Sequence, residues 1–473
     1  MRKKIFLTGA TGTMGWAGLQ ELLKYPEQYE LTVLVRPTAN NQKKMKVLTD
    51  KVRIVWGDLC NYDDVLQGVS GAEVVLHVGG MVSPKADYYP EKTLHVNVTA
   101  AENVVRAILA QPNADHIKAV YIGSVAETGD RNEPIHWGRI GDPAFVSEFD
   151  HYGISKIRAE RIFADSGLKH WVSLRQSGIL YPGILKNFDP IMFHVPIRGV
   201  LEWATVEDSG RLLERVCRDS VPEEFWNCFY NISSGPQYRM TNYEFECRVL
   251  QAVHCPRPEQ IFEANWFVLK NFHGQFYLDA DLLENYLHFR ANIPLDDYFK
   301  QMSNRLPKMF KAAKLVPPFV LKAVLRSLAH QKTYGTQYWI EQHDDKYIRA
   351  YYGNFDRWKA IPDWSEWDLS EPAGQDQAIA IDHGYDESKP LAELSLQELQ
   401  HAAAFRGGKL VSNSYSGNPA QLLKWECHAG HRFEASPKLI LEGGHWCPHC
   451  LSTNWPYNDL ATHSPFFAQV YRP

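Results

Sequence analysis

Two side chains four residues apart carry the first chemical signal. In HYGISKIRAER, Tyr152 and Lys156 stand at i and i+4, and the Ile157, Ala159, Ile162 and Phe163 that follow predict a helix pointing both the same way. A phenol with an ordinary pKa of about 10 is a poor acid or base near neutrality, and an ammonium group beside it favours the phenolate. That pairing suits proton transfer to or from a carbinol oxygen. Ser124, one predicted strand earlier, is placed to hydrogen-bond the same oxygen. A lone Y-x-x-x-K is more often an exposed tyrosine beside a solvated lysine. Its position after a strand ending in serine, behind a glycine loop, reverses that reading.

A second set lies near the C-terminus, in WECHAGHRFEASPKLILEGGHWCPHC. Cys427 and His431 form one pair, Cys447 and Cys450 a C-x-x-C knuckle, and His428, His445 and His449 are spare donors. Thiolates and an imidazole on two such turns match a closed tetrahedral zinc site, with no open position for catalysis. The segment resembles small treble-clef or zinc-ribbon modules. The eight cysteines of the chain, five of them scattered, form no disulfide framework.

The tyrosine and serine need a scaffold, and the first fifteen residues announce it. Ile5, Phe6 and Leu7 form an apolar run without alternation, as in a strand buried on both faces of a parallel sheet. Gly9, Gly12 and Gly15 follow, permitting a tight turn, close approach of a pyrophosphate to backbone, and close packing of the next helix, whose N–H groups aim at the anion. Strands are expected at 31–35, 52–56, 74–78 and 119–122, separated by helices at 16–25, 61–69 and 91–110. The fold class is therefore α/β, a Rossmann-type doubly wound parallel sheet with right-handed crossovers. Ligands in such sheets bind beyond the carboxyl ends of the strands, where Gly9, Arg36, Asp58, Gly79 and Ser124 fall.

Taken together, TGATGTMG, GDL, LHVGG, Asn97 in HVNVTAAENVV, IGS, YGISK and RQSGILYPG make the first ~300 residues resemble the extended short-chain dehydrogenase/reductase family, the NAD(P)-dependent epimerase, dehydratase and hydroxysteroid-dehydrogenase group. The resemblance implies Tyr152 as general acid/base, Lys156 as its partner and ribose ligand, and Ser124 as the donor to the substrate oxygen. It implies cofactor contacts from Gly9, Thr11, Gly12, Thr13, Met14 and Gly15, from Asp58 and Leu59 beside the adenine, from Val78, Gly79, Gly80 and Asn97, and from Ser177 and Leu180 near the reacting ring. Where the family often has alanines, this chain has Gly79 and Gly80. An acidic residue after the second strand would hydrogen-bond a ribose 2′-OH, but Arg36 stands there with Lys43 and Lys44 close behind, so NADP(H) is favoured over NAD(H). An arginine stacked on adenine would suit either cofactor.

The 473 residues divide, on this reading, into a cofactor and catalytic domain (1–305) with a smaller substrate lobe, an aromatic-rich extension (306–390) and a zinc-ribbon-like module (391–473). Weak substrate-site candidates are His136, Trp137 and Arg139, in a loop expected to overhang the site, with Tyr181, Met192 and Trp203. Arg139 and Asp142 could equally form a salt bridge that holds that loop. In the extension, Lys308, Lys311, Lys314, Lys322 and Arg326 interleave with apolar residues around Pro317 and Pro318, which predicts two short helices packed on the core. The aromatic run 338–367 suits an apolar substrate channel or a dock for the C-terminal module, and 371–390 reads as a polar linker or surface loop.

A net charge of −5 and the mixed signs of the module exclude a phosphate-tracking stripe, so a small-molecule substrate is expected and nucleic acid is not. No run reaches the ~20 apolar residues of a transmembrane helix, a cytoplasmic location is expected, and a homodimer is allowed. The main functional expectation is hydride transfer between NADP(H) and a carbonyl or secondary alcohol of an apolar, steroid- or lipid-like molecule. The enzymatic alternative is a nucleotide-sugar epimerase or dehydratase. The alternative of another class is a non-catalytic cofactor sensor that recruits a partner through the zinc module.

Overall fold

The computed structural model describes residues 2–186, 188–307, 310 and 314–471. Seven strands form the central sheet: β1 (Lys3–Thr8), β2 (Tyr29–Val35), β3 (Arg53–Trp56), β4 (Val74–His77), β5 (Lys118–Ser124), β6 (His170–Gln176) and β7 (Cys228–Ile232). They lie in the order β7-β6-β5-β4-β1-β2-β3, and every neighbouring pair is parallel. The unbroken apolar run of β1 is explained by burial on both faces. Phe6 packs with Val65 and Val69 of α2 (Tyr62–Val69), Val104 of α3 (Pro90–Leu109) and Phe163 of α4 (His151–Ala164). Ile5 and Leu7 face the other way, toward Leu19 and Leu22 of α1 (Thr13–Leu22) and Leu212 of α5 (Val206–Arg215). This is a Rossmann-type doubly wound α/β fold.

A smaller lobe is built beside the carboxyl ends of β6 and β7. Val200–Glu202 pairs antiparallel with Arg239–Thr241, and α6 (Asn242–Ala252) begins at once behind a capping box in which Thr241 and Glu244 satisfy each other's backbone N–H groups.

The extension closes over this lobe. Helix α7 (Pro318–Ala329) buries Leu325 and Ala329 against Phe262 and Phe267, and leaves Phe319 74% and Val324 56% exposed. Of the basic stretch before it, Lys308 and Lys311 lie outside the described residues. Trp339 stacks on Tyr347 and Tyr351 of α8 (Asp345–Tyr352) at 4.7 and 4.9 Å, and Tyr347 stacks on Phe149, which touches Trp455 of the C-terminal module. The aromatic run thus serves both the lobe and the module. The stretch 371–390 departs from a free linker: Ile381 and His383 are buried, and His383 Nε2 meets Asp142 Oδ1 at 3.0 Å.

The C-terminal residues form α9 (Leu396–Phe405) and a three-stranded antiparallel sheet, β8 (Gly408–Leu410), β9 (Leu423–Cys427) and β10 (Arg432–Ala435). Leu399, Trp425, Leu439 and Phe466 join the same apolar core as Ile154, Ile157 and Phe163 of α4. Consequently α4 is enclosed on two sides, by the sheet and by the module. No helix among the described residues is long and apolar enough to cross a membrane.

Candidate active site

The glycine loop leaves no room for side chains. Gly9 has φ +70°, and a Cβ there would lie 2.7 Å from Gly79 Cα, while a Cβ on Gly15 would lie 2.2 Å from the Gly9 carbonyl oxygen. The hydroxyl of Thr8 knots β1 to β4, accepting the N–H of Val78 and Gly79 at 3.1 and 3.0 Å and donating to His77 Nδ1 at 3.0 Å. Burial holds His77 neutral, its pKa pushed down to about 3, so that nitrogen is free to accept. Asn97 fixes the turn after β4: its Oδ1 accepts the Met81 N–H, and its Nδ2 donates to the Met81 carbonyl and to Ser155 Oγ.

Around this cradle, Thr11, Gly12, Thr13 and Met14 form the turn into α1, with Gly12 N–H donating to the Gly9 carbonyl. Arg36 is exposed at the end of β2. Lys44, which sequence reasoning placed only nearby, reaches the loop itself: its Nζ donates to the Thr11 carbonyl at 3.0 Å and lies 4.2 Å from the Trp16 ring centre. Asp58 turns inward on its own chain to accept the Cys60 N–H, and Leu59 packs against the Cβ position of Gly79.

Ser124 ends β5 and caps the next turn, accepting the Ala126 N–H at 3.2 Å. Tyr152 follows in the first turn of α4, near that serine and one turn before Lys156. Burial, aided by Glu127, Asp150 and Asp87, raises the phenol well above its ordinary value, and the serine opposes this. The expected depression by Lys156 is not what this arrangement produces. Lys156 Nζ donates to the Ile122 carbonyl at 2.6 Å and lies over Tyr121, and burial brings its pKa down to about 8.

Ser124 opens onto a cavity of about 920 Å³. Gln176 and Ser177 continue the wall, and Met192, His194, Trp203, Phe245, Glu246, Leu325 and Trp339 stand around it. Ser177 Oγ is buried and has no hydrogen-bond partner among the described residues. Leu180 is packed among Leu185, Tyr238 and Met240. Among the described residues no lysine or arginine lines the cavity, whereas Asp87, Glu148, Asp150, Asp189 and Glu246 do.

Four of the substrate-site candidates lie elsewhere. His136 Nε2 and Trp137 Nε1 both meet the Ala373 carbonyl at 2.9 Å, which pins the extension rather than overhanging the site. The Arg139 guanidinium pairs with Glu387, while Asp142 pairs with buried Arg131 at 2.9 Å and accepts the Arg139 backbone N–H at 3.1 Å. The Tyr181 ring lies against Gly183, outside the cavity wall. Sequence reasoning missed Glu246, although the signal is present: in NYEFECRVLQAV it falls on the stripe Asn242, Val249, Leu250, Val253, an acid on the apolar face of a helix.

The cysteine cluster is assembled. Cys427 Sγ lies 3.4 Å from His431 Nδ1 and 3.6 Å from Cys450 Sγ, while Cys447 and Cys450 Sγ lie 3.7 and 3.5 Å from the same nitrogen. All four donor atoms lie within 4.8 Å of one another, so the cluster could hold a metal ion. His445 is not part of it; its Nε2 meets Glu160 of α4.

With this geometry in place, comparison with known proteins is informative. Over 130 residues the chain is 29% identical to a UDP-glucose 4-epimerase of Rickettsia bellii (strain RML369-C), a match covering 25% of this chain and 38% of that protein. It is 27% identical over 173 residues to an uncharacterized protein of Frog virus 3, covering 36% of this chain and 46% of the other. The chain thus spans less than half the length of these curated relatives. The fold is shared with a dTDP-glucose 4,6-dehydratase from Bacillus anthracis in complex with NAD (TM-score 0.51, 16% identity, 64% of this chain and 96% of that one). It is shared equally with the Bordetella bronchiseptica enzyme WbmG in complex with NAD and UDP (TM-score 0.52, 16% identity, 66% and 98%). In agreement with both, residues 5–181 match the sequence profile of the NAD dependent epimerase/dehydratase family.

Proposed function

We propose that the chain is a nicotinamide-dependent enzyme that interconverts a secondary alcohol and a carbonyl on a small molecule. The observation that carries this reading is Ser124 on the cavity wall, with Tyr152 and Lys156 one turn apart on the adjoining helix α4 and a glycine cradle at the carboxyl ends of β1 and β4. A bound nicotinamide would accept or supply the hydride. In this reading Ser124 holds the substrate oxygen, Tyr152 Oη takes or returns its proton, and Lys156 leaves the Ile122 carbonyl for the ribose, bringing a positive charge that opposes the effect of burial on the phenol. The Gly9–Gly79 cradle and the unpartnered Ser177 Oγ fit the two ends of such a cofactor. Arg36 and Lys44 support NADP(H), whereas both structural neighbours are described with NAD.

Of the two substrate classes, the relatives named for UDP-glucose and dTDP-glucose support the nucleotide-sugar alternative, epimerisation or dehydration through a transiently reduced cofactor, and this reading comes first. One observation favours the second, a steroid- or lipid-like substrate: apolar side chains such as Phe245, Val249, Leu250, Leu325 and Trp339 stand around the cavity, and no described lysine or arginine lines it to hold a diphosphate. Incubation of the purified protein with either cofactor and UDP-glucose, dTDP-glucose or a hydroxysteroid distinguishes them. An epimer or keto sugar supports the first class, and a ketosteroid formed together with reduced cofactor supports the second. Tight cofactor binding without turnover of any compound would overturn the enzyme reading in favour of a cofactor sensor.

We also infer that Cys427, His431, Cys447 and Cys450 hold one structural zinc ion. Zinc bonds of about 2.3 Å to sulfur and about 2.0 Å to nitrogen require tetrahedral edges of roughly 3.5–3.8 Å, and four of the six donor separations, at 3.4–3.7 Å, agree. Elemental analysis of the purified protein tests this.

A further inference from the structure

The wall of the cavity contains one group that its surroundings do not explain. Glu246 lies on α6 between two apolar clusters, with Phe245, Val249 and Met240 on one side and Leu250, Phe262 and Leu325 on the other. Only 5% of its surface is exposed, and its carboxyl makes no hydrogen bond or ion pair among the described residues. Holding a carboxyl in so apolar a wall costs desolvation, and a leucine or methionine would fill this position on the helix stripe without that cost. The unsatisfied group faces a cavity, so a bound molecule can supply the missing partner.

The chemistry of that partner follows from the charges around it. Burial pushes the Glu246 carboxyl up to about 8, so near neutrality it is an uncharged acid with one O–H to donate and a carbonyl oxygen to accept. A cationic ligand would gain little from it, and among the described residues no lysine or arginine lines the cavity to hold an anionic one. A neutral oxygen function, ketone or hydroxyl, is the complement that remains, on a molecule otherwise apolar enough for Phe245, Val249, Leu250, Leu325 and Trp339.

We propose that the cavity is a two-point site for a neutral, largely apolar molecule with two oxygen functions, one presented to Ser124 and the other hydrogen-bonded by the Glu246 carboxyl. The inference rests on the apolar-substrate reading and adds to it a residue that selects among apolar ligands. The second oxygen function would contribute through the same asymmetry that makes the empty-handed carboxyl costly, since a ligand lacking it leaves Glu246 unpaired.

The probes are androstanedione, with a ketone at each end of its ring system, and androstanone, which keeps only the A-ring ketone; binding to the full chain is measured by calorimetry. The parent protein should bind the diketone about tenfold more tightly than the monoketone. Glu246→Met should abolish that preference by weakening the diketone, leaving monoketone affinity within about threefold, which also shows that the variant is folded. Glu246→Gln keeps a donor and should retain the preference. A parent protein that binds both probes equally, or a Glu246→Met variant that still prefers the diketone, overturns the role of Glu246 while leaving the apolar-substrate reading intact. Failure of the parent to bind either steroid overturns that reading and this inference with it.

Discussion

His445 Nε2 of the C-terminal module lies 2.8 Å from Glu160 Oε1, one helical turn beyond Lys156 on α4. The same carboxylate accepts from Arg175 of β6 at 2.5 and 3.0 Å and from Ser173 Oγ at 2.5 Å, and Arg175 in turn donates to the Gly443 carbonyl of the module at 2.7 Å. Burial works against the charge on Glu160, but Arg175 and His445 overcome it and hold the carboxyl well below the usual range. The module and the helix that carries Tyr152 are therefore joined by a fully buried polar network, not by surface contact alone.

Glu160→Gln should accordingly be among the most damaging changes outside the cavity. It leaves Arg175 with Glu127 at 3.4 Å as its remaining carboxylate, and breaking a buried pair from one side typically costs about 3–5 kcal/mol. Urea denaturation of variant and parent measures this, and a loss below about 0.5 kcal/mol, the range of ordinary surface changes, would show that the network is not a structural joint.

Tyr152→Phe should fold, bind cofactor and lose turnover by about a hundredfold or more, because only the proton-transfer group is removed. Rates close to those of the parent on its best substrate would sink the assignment of Tyr152.

The parts read from sequence and the parts hidden from it differ in a simple physical way. Ile5 to Leu7, the glycine spacing, Tyr152 with Lys156, and the cysteine pairs are local patterns, each set by a strand, a turn or a single helix. The Glu160–His445 joint spans 285 positions, and no local pattern announces it. The place of His136, Trp137 and Arg139 between the serine strand and Tyr152 predicts a loop over the site, yet the Ala373 carbonyl and Glu387 of the extension take their polar groups away. Lys156 shows the same limit at shorter range, since the i+4 spacing set its face of the helix but not the Ile122 carbonyl it would meet. Glu246 was visible as an acid on an apolar stripe, but its meaning depended on which cavity that stripe faces.

Arg36→Asp should weaken NADP(H) by at least about tenfold relative to NAD(H), roughly 1.4 kcal/mol of differential affinity. Lys44, already at the glycine loop, predicts a companion effect: Lys44→Met should weaken both cofactors. Equal losses for both cofactors in Arg36→Asp would show that this arginine does not read a 2′-phosphate.

Glu246 also makes stability depend on pH, with a defined sign. Its carboxyl is raised from 4.5 to about 8 on folding, so between those values the folded chain binds a proton that the unfolded chain has released. Stability contributed by this proton is present below about pH 4.5 and is lost as pH rises toward about 8. Asp87, pushed up to about 7 by burial, acts in the same sense, so the comparison must be with Glu246→Gln and not with a flat baseline. The advantage of the variant in urea midpoint should grow steadily from about pH 5 to about pH 8. A constant difference across that window would mean that Glu246 is not held neutral in the folded chain.

The metal cluster yields the last prediction, and the buried joint at Glu160 sharpens it. Zinc held by Cys427, His431, Cys447 and Cys450 would supply folding free energy to a small sheet, and His445 and Trp446 lie between its two ligand pairs in the chain. Cys447→Ser should therefore release the metal and make the region around β9 and β10 the first to be cut by protease. Arg161 of α4 donates to the Trp446 and Glu434 carbonyls at 3.1 and 2.8 Å, so disorder there reaches the catalytic helix from its outer side. Turnover should fall more slowly than metal is lost on adding a chelator, and in step with the loosening of the module as read by proteolysis. Activity lost at once with the metal, before any change in protease sensitivity, would instead place the ion in the reaction, and a metal-free chain with a resistant C-terminus would remove the zinc assignment.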